Sequence, residues 1–394
     1  MTTFDAKERA QIEAGGLTVE DFETVWVKLY DGEAWPEFRF TMAERDAPGT
    51  WEKVQLVPGL PCVITLGGQR AITGTIISRQ VAYDATTHAT QLYGKGGTFW
   101  ATKSSAKTKT GNFDNKTFRQ IVEEVFHGGY VKYKVGIIHK GREFLEPLHQ
   151  IQIQQGESNW DFLERVARPI GAIMSSDKDG NIVVIWPRTM ENAGALMEGV
   201  NILKCNFVVS EDTTNMEYLV TAQSDASSGN TGKDAQEIIS DPVKGTQRQP
   251  SLNVTMAEGP LKGKPQATFR AANEMRWGEA ARVHAQVTVQ GWINPGTGQL
   301  WLPGQIVTLA SPMCPFNGSL GIKSVTFTQD SRSGTLTMLE LVQPEYLNGG
   351  GTGGGGWSPG DPAINHAVPP TLDNKMITPE PTEPAGGTGG GVQT

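Results

Sequence analysis

The chain of 394 residues has room for two or three domains with cores of their own, and 38% hydrophobic residues with 47 Gly and 23 Pro favour a loop-rich, β-heavy protein over a helical one. A formal net charge of −8 argues against a nucleic-acid-specific site or a sequence-independent grip on phosphates, and the one basic run, residues 103–109, reads as a solvated loop. Three scattered cysteines, Cys62, Cys205 and Cys314, indicate neither a disulfide framework nor a Cys-based metal site, and without a signal sequence or a span-length apolar run no stable membrane insertion is expected.

Residues 1–16 read as a polar leader, helical over 5–13 without a convincing apolar stripe. Over 17–106 short strands and turns prevail: Val25, Val27 and Leu29 alternate, as do Phe38 and Phe40, and residues 63–66 and 72–81 carry further β-rich runs. A first β-barrel or sandwich domain is expected there. Residues 115–126 place Phe118, Ile121, Val122, Val125 and Phe126 on one helical side and belong to a mixed α+β linker domain over 107–198.

The second half of that linker is the most informative stretch. Ile151 and Ile153 alternate with glutamines as in a half-buried strand, and Gly156 ends it. Ser158 caps the next helix, with Asp161 expected to return a bond to the backbone in a capping box. Phe162, Leu163, Val166, Ala167 and Ile170 share a helical face, Pro169 and Gly171 stop the helix, and Asp179-Gly180 turns a hairpin into the strand 182–186.

Strand-like sequence returns over 201–222, followed by a polar excursion at 224–265. Patterning resumes from Gln266 with a helix over 271–282, so a second β domain spans 199–348 with 224–265 inserted in it. Residues 349–394 are Gly, Pro, Thr and acidic residues with few apolar side chains, and are expected to be disordered in the isolated chain. A faint internal repeat links the two β domains: residues 63–66 echo 306–309, and Ile76-Ile77-Ser78 echoes Ile322-Lys323-Ser324.

A strand ending in Gly156-Glu157-Ser158, a helix carrying Trp160, Phe162, Leu163 and Arg165, then Gly171 and the Gly180 hairpin, resembles the joining segment of phage baseplate hub proteins. That group comprises the late-control D family, the Mu-like hubs and the amino-terminal half of the type VI secretion spike. Two further segments are similar to Mu-like hubs. Residues 67–106 carry a Tyr83-Asp84 turn leading to His88, and residues 289–312 carry Gly291-Trp292, Trp301 and Pro303-Gly304. The resemblance covers most of residues 17–345. It implies an α+β, β-rich fold with two tube-like β-barrels joined by the linker. The implied function is structural: a homotrimeric baseplate hub of the virion, assembled in the host cytoplasm, that adapts a six-fold tail tube to a three-fold central spike. The implied partners are two more copies of the chain, a tube or distal tail protein, a spike and baseplate wedge proteins.

Chemistry is sparse. The six histidines, His88, His127, His139, His149, His284 and His366, form no H-E-x-x-H pair and have no Cys partners at metal spacing. Asp177, Asp179 and Asn181 suggest a calcium loop, but Arg188 stands at the twelfth position, where an EF-hand needs Glu, so a hairpin turn is expected. Gly94-Lys95-Gly96-Gly97 lacks the P-loop ending. No catalytic, cofactor or metal residues are assigned and no enzyme activity is expected. The alternatives are a virion-associated cell-wall hydrolase and a glycan-binding tail module, the latter with Trp277, Trp292 and Trp301 as a sugar platform.

Overall fold

The computed structural model describes residues 6–20, 22–43, 56–83, 88–141, 145–223, 237–257, 264–314 and 316–348. The expected disordered tail, Asp84 and part of the 224–265 excursion lie outside the described residues.

The first part contributes β1 (Ala10–Ala14), β2 (Leu17–Val19), β3 (Thr24–Tyr30), β4 (Glu37–Ala43), β5 (Pro61–Leu66), β6 (Gln69–Tyr83) and β7 (His88–Gly96). Side chains along a strand point alternately to opposite faces. Val25, Val27 and Leu29 of β3, Phe38 and Phe40 of β4, and Cys62, Ile64 and Leu66 of β5 therefore enter one core. The leader expectation needs correction here, because residues 10–14 form a strand. Ala10, Ile12 and Ala14 are buried, and β1 pairs with β2 and with β5, placing Ile12 opposite Ile64. With alanine at both ends, the alternation is too weakly apolar to stand out in sequence.

The linker holds α1 (Phe99–Lys103), β8 (Asn112–Phe113), α2 (Phe118–Glu123), β9 (Ile137–Lys140), β10 (Ile151–Gln152), α3 (Asn159–Ala167), β11 (Ile173–Ser176) and β12 (Ile182–Ile185). Thr117 and Gln120 form a capping box at α2, which runs on into a π-helical turn at Glu124–Gly128. Phe118, Ile121, Phe162, Leu163, Met174 and Trp186 build a separate core, and β12, buried along its whole length, pairs with β11 and β9.

The last part contains β13 (Asn192–Met197), β14 (Lys204–Val209), β15 (Glu217–Gln223), β16 (Glu237–Ile239), β17 (Val243–Lys244), β18 (Leu252–Met256), α4 (Lys264–Ala280), β19 (Val283–Gln290), β20 (Ile306–Ala310), β21 (Asn317–Asp330), β22 (Gly334–Val342) and α5 (Pro344–Leu347). The excursion is ordered where described: β16, β17 and β18 pair with β15, and Ala267 and Ala271 of α4 pack on Val220 and Ala222.

Two tube-like barrels were expected, whereas one open sheet of 13 strands is observed, running β14-β19-β22-β21-β3-β4-β7-β6-β5-β1-β2 with β20 pairing both β13 and β21. Among the described residues neither part closes on itself. The reason lies in β21, whose free edge beyond β20 is filled by β3 from the other part, in antiparallel register from Ser324 opposite Tyr30 to Gln329 opposite Val25. Both parts consequently share one core, in which Val25, Val27, Val325 and Phe327 lie together.

Candidate assembly interface

The two parts repeat one strand plan. In the first, β5 pairs the start of β6, the rest of β6 pairs β7, and β4 and β3 follow. In the last, β20, β21, β22, β19 and β14 occur in the same order with the same antiparallel sense. Each long strand slips register against the following strand at one point, between Ile76 and Ser78 in β6 against β7 and between Ile322 and Ser324 in β21 against β22. A β-bulge is a specific local device. Its recurrence at the aligned residues fixes the correspondence: Tyr93 to Glu340, Phe38 to Ala285, Lys28 to Val208. It also makes Pro61, not Val63, the equivalent of Ile306, two residues from the expected echo.

The joining-segment residues form one structural unit. Gly156 adopts φ +84, a conformation that favours glycine, and turns β10 toward α3. The nearly buried Glu157 carboxylate holds the Arg165 guanidinium through two bonds, 2.7 and 2.9 Å, and Arg165 also donates to the Gln152 carbonyl at 2.8 Å. The G-E-S…R pattern is thus a clamp between strand and helix. Ser158 caps α3 by accepting from the Asp161 amide at 3.1 Å, but the expected capping box is corrected. The Asp161 carboxylate accepts from the Ser158 hydroxyl at 2.7 Å, because Asp is a methylene shorter than the Glu that reaches a cap backbone. Phe162 and Leu163 are fully buried, Trp160 packs partly on the same core, and Gly171 closes the following turn at φ +70.

The hairpin reading of residues 177–181 agrees with the geometry. Asp177 Oδ1 accepts from the Asp179 and Asn181 amides and Oδ2 from the Asn181 side chain, with Gly180 at φ +83. Asp179 pairs with Arg70 at 3.1 Å, tying the hairpin to β6. His88 opens β7 opposite Tyr83. Gly291 sits at φ +74 in the turn after β19; Trp292 and Trp301 are buried, and Trp292 donates to the Thr328 carbonyl at 3.2 Å. Two of the three rings of the supposed sugar platform are therefore core residues, which removes the glycan-binding reading that depended on them.

Pro303 and Gly304 mark the joint between all three parts. Arg188, just after β12, donates to Asp31 at the end of β3 at 2.6 Å, both side chains being almost buried. The Asp31 amide bonds the Lys323 carbonyl of β21 at 2.9 Å, and the Gly32 amide bonds Ser175 of the linker at 3.0 Å. Gly304 has φ +78, and a Cβ there would lie 2.6 Å from Arg188 Nη2. Burial raises the Asp31 carboxyl above its usual range even though Arg188 opposes it. Sequence reasoning met Arg188 only as a misfit in a calcium loop and passed over Asp31, because a pair separated by 157 positions leaves no local signal.

The cleft at this joint, about 360 Å³, is lined by Asp31, Lys140, Asp177, Asp179 and Arg188 among others, and Asp31, Asp177 and Asp179 are already engaged as described. A neighbouring cleft of about 310 Å³ holds Glu33, raised by burial, and Glu164, which Arg168 holds at 3.0 Å. No cluster of His, Cys, Asp and Glu suited to a metal occurs among the described residues, and no helix among them is long and apolar enough to cross a membrane.

Residues 102–185, the linker just described, match the family described as baseplate hub protein gp44-like, second domain. The chain resembles the phage baseplate hub proteins. The chain is 26% identical over 317 residues to the baseplate hub protein gp44 of Escherichia phage Mu, a match covering 78% of this chain and 80% of that protein. Among solved structures, the 43 kDa tail protein of prophage MuSo2 from Shewanella oneidensis has a TM-score of 0.72 at 22% identity, covering 86% of this chain and 99% of that one. A component of the type VI secretion system of E. coli, described as structurally similar to the bacteriophage T4 tail proteins gp27 and gp5, has a TM-score of 0.55 at 13% identity, the match covering 86% of this chain and 78% of that one. These relatives are tail and baseplate hub proteins, which supports a structural part in the virion tail over the cell-wall hydrolase alternative.

Proposed function

We propose that three copies of the hub close a ring in which six similar β units adapt a six-fold tail tube to a three-fold central spike. The observation that supports this is the repeat: one chain carries two four-strand units, β14-β19-β22-β21 and β3-β4-β7-β6, joined edge to edge in one sheet. Three such chains present six near-equivalent rims on one side, while the single linker and single excursion of each chain leave three-fold features elsewhere. Symmetric closure of this kind needs complementary surfaces and no chemistry. The partners are two further copies, a tube or distal tail protein on one rim, a spike on the other and wedge proteins around them, with assembly in the host cytoplasm. The first test is native mass across a concentration series. A complex of about 128 kDa for three 42.6 kDa chains, without a dimer plateau, supports the ring; a monomer or a stable dimer at every concentration counts against it.

A further inference from the structure

We propose that Cys205 and Cys314 are a thiol pair that closes to a disulfide within the chain, latching β14 to the loop that follows β20. Their sulfurs lie 3.9 Å apart, and both side chains are partly buried against the main core. A disulfide holds its sulfurs about 2 Å apart, so closure needs a movement of about 2 Å, within reach of a side-chain rotation and a small shift of the loop. The two units show why a latch belongs at this place. Strand β3 of the first unit is held along both edges, by β4 and by β21 at the inner seam. Its equivalent β14 ends the sheet and pairs with β19 alone among the described residues. Where the last unit has Cys205 the first has Val25, by the correspondence that sets Lys28 against Val208. The first unit joins β5 to β6 by the tight Gly67-Gly68 turn, whereas residues 311–316 join β20 to β21 and carry Cys314. Both thiols are therefore additions made to the last unit alone.

The loop is held in position for this contact. Ser311 donates to the Glu198 carboxylate, and the Cys314 amide bonds the Ser311 carbonyl at 3.2 Å in a turn. Two residues beyond each cysteine, the Phe207 and Phe316 rings meet at 5.9 Å between centroids. Equal offsets in the two contacts mean that the loop runs alongside β14 in the same direction. The disulfide would thus fasten segments that already lie together. Cys62 differs: it is buried in β5, and burial pushes its thiol up to about 12, which keeps it out of exchange chemistry.

Glutathione disulfide serves as the oxidant and balances the step. Cys314 lies on the loop beside Met313, which is 84% exposed, and so meets the oxidant first. Its thiolate attacks one sulfur of the oxidant, forming a mixed disulfide and releasing one glutathione. Cys205, whose thiol is pushed up to about 11 by burial and then by Cys314, next gives its proton to solvent and displaces the second glutathione. The chain loses two protons and two electrons, and the oxidant becomes two glutathione thiols. A disulfide that draws two segments together is more easily reduced than a strain-free one. Under the proposed assembly in a host cytoplasm, on which only this timing rests, the pair stays open while reduced glutathione is in excess and closes outside the cell.

The test exposes the full chain to glutathione disulfide, alkylates the remaining thiols and maps the peptides by mass spectrometry without reduction. A linked Cys205–Cys314 peptide with Cys62 alkylated is expected, together with a thermal midpoint about 5 °C above that of the reduced chain. Cys205→Ala and Cys314→Ala are each expected to abolish the difference between oxidised and reduced midpoints, and Cys62→Ala to keep it. Three alkylated cysteines, glutathione left on Cys314, or a link to Cys62 or to another copy overturns the pair. A linked peptide without a change of midpoint overturns the latch. A link that forms in excess reduced glutathione overturns the timing. Oligomer mass is read separately, so a chain that forms the link yet stays monomeric overturns the three-copy reading and leaves the latch standing.

Discussion

The two β units share a scaffold and have exchanged nearly everything mounted on it. On the outward face of the first, Arg39 lies over the Trp26 and Tyr93 rings at 5.8 and 5.9 Å, and Lys95 over Trp35 at 4.5 Å. At the matching positions of the second stand Gln286 for Arg39, Asn206 for Trp26 and Glu340 for Tyr93, with Glu340 bonded by Ser324 at 2.7 Å and His284 at 3.2 Å. The core has been re-sized as well. Phe38 faces Gly94 in the first unit, and Ala285 faces Leu341 in the second. What recurs is alternation, strand order and one bulge. These are properties of backbone pairing, which any set of side chains that fills the same volume satisfies.

The seam position separates the units most sharply. Asp31 pairs with Arg188 inside the protein, while its equivalent Glu211 pairs with Arg282 and remains about half exposed. Arg188→Met would leave the Asp31 carboxylate buried without its cation and is expected to cost about 3–5 kcal/mol in urea unfolding. Glu211→Gln is expected to cost under about 1 kcal/mol. Equal losses at the two sites would mean that the inner seam has no special hold on the fold.

The swapped core pair offers a smaller break. A Cβ on Gly94 would overlap the Phe38 ring and the Thr75 carbonyl, so Gly94→Ala is expected to cost about 2–3 kcal/mol. In a Phe38→Ala background the same change should cost about 1 kcal/mol less, because the ring has gone and only the carbonyl remains. A double-mutant cycle by thermal or urea unfolding reads the coupling, and a coupling near zero would show that the ring moves aside freely. In the linker, Glu157→Gln weakens the clamp on Arg165 and is expected to cost about 1–2 kcal/mol without altering subunit mass.

These differences explain how much was legible beforehand. Buried alternation in β3 and β4, the α3 face and the hairpin at Gly180 all depend on residues near one another in sequence, and all were readable. The repeat was readable at Ser78 and Ser324 but slipped by two at the preceding strands, because a period-two pattern is unchanged by a shift of two and only pairing fixes register. The single open sheet was not readable. It depends on β21 meeting β3 across most of the chain, and nothing local in either strand distinguishes a partner in its own barrel from one in the other unit. The same distance hid Asp31 from Arg188. The two cysteines whose sulfurs lie 3.9 Å apart, Cys205 and Cys314, were hidden by a separation of 109 positions.

The smallest expected effect sharpens the comparison through pH, because one register position carries a phenol in the first unit and a carboxylate in the second. Burial, and then the charge of Glu37, pushes the Tyr93 phenol up to about 12. Burial also raises the Glu340 carboxyl, but the Ser324 hydrogen bond and the charges of Lys323 and His284 outweigh it and hold the group below its ordinary 4.5. Folded Glu340 binds fewer protons than the unfolded chain does in acid, so its contribution is complete above about pH 4.5 and is lost as the pH falls through the folded value. Folded Tyr93 binds more protons than the unfolded chain between its ordinary 10 and about 12, so stability falls as the pH climbs through that window. Glu340→Gln should therefore flatten only the acid limb of a urea-midpoint profile and Tyr93→Phe only the alkaline limb, each by under about 1 kcal/mol, since both groups are partly solvated. Tyr30, raised to about 12 as well, keeps a residual alkaline slope in Tyr93→Phe. Should Glu340→Gln leave the acid limb unchanged, the His284, Lys323 and Ser324 contacts would be surface decoration, and the divergence between the units would carry no energy of its own at this position.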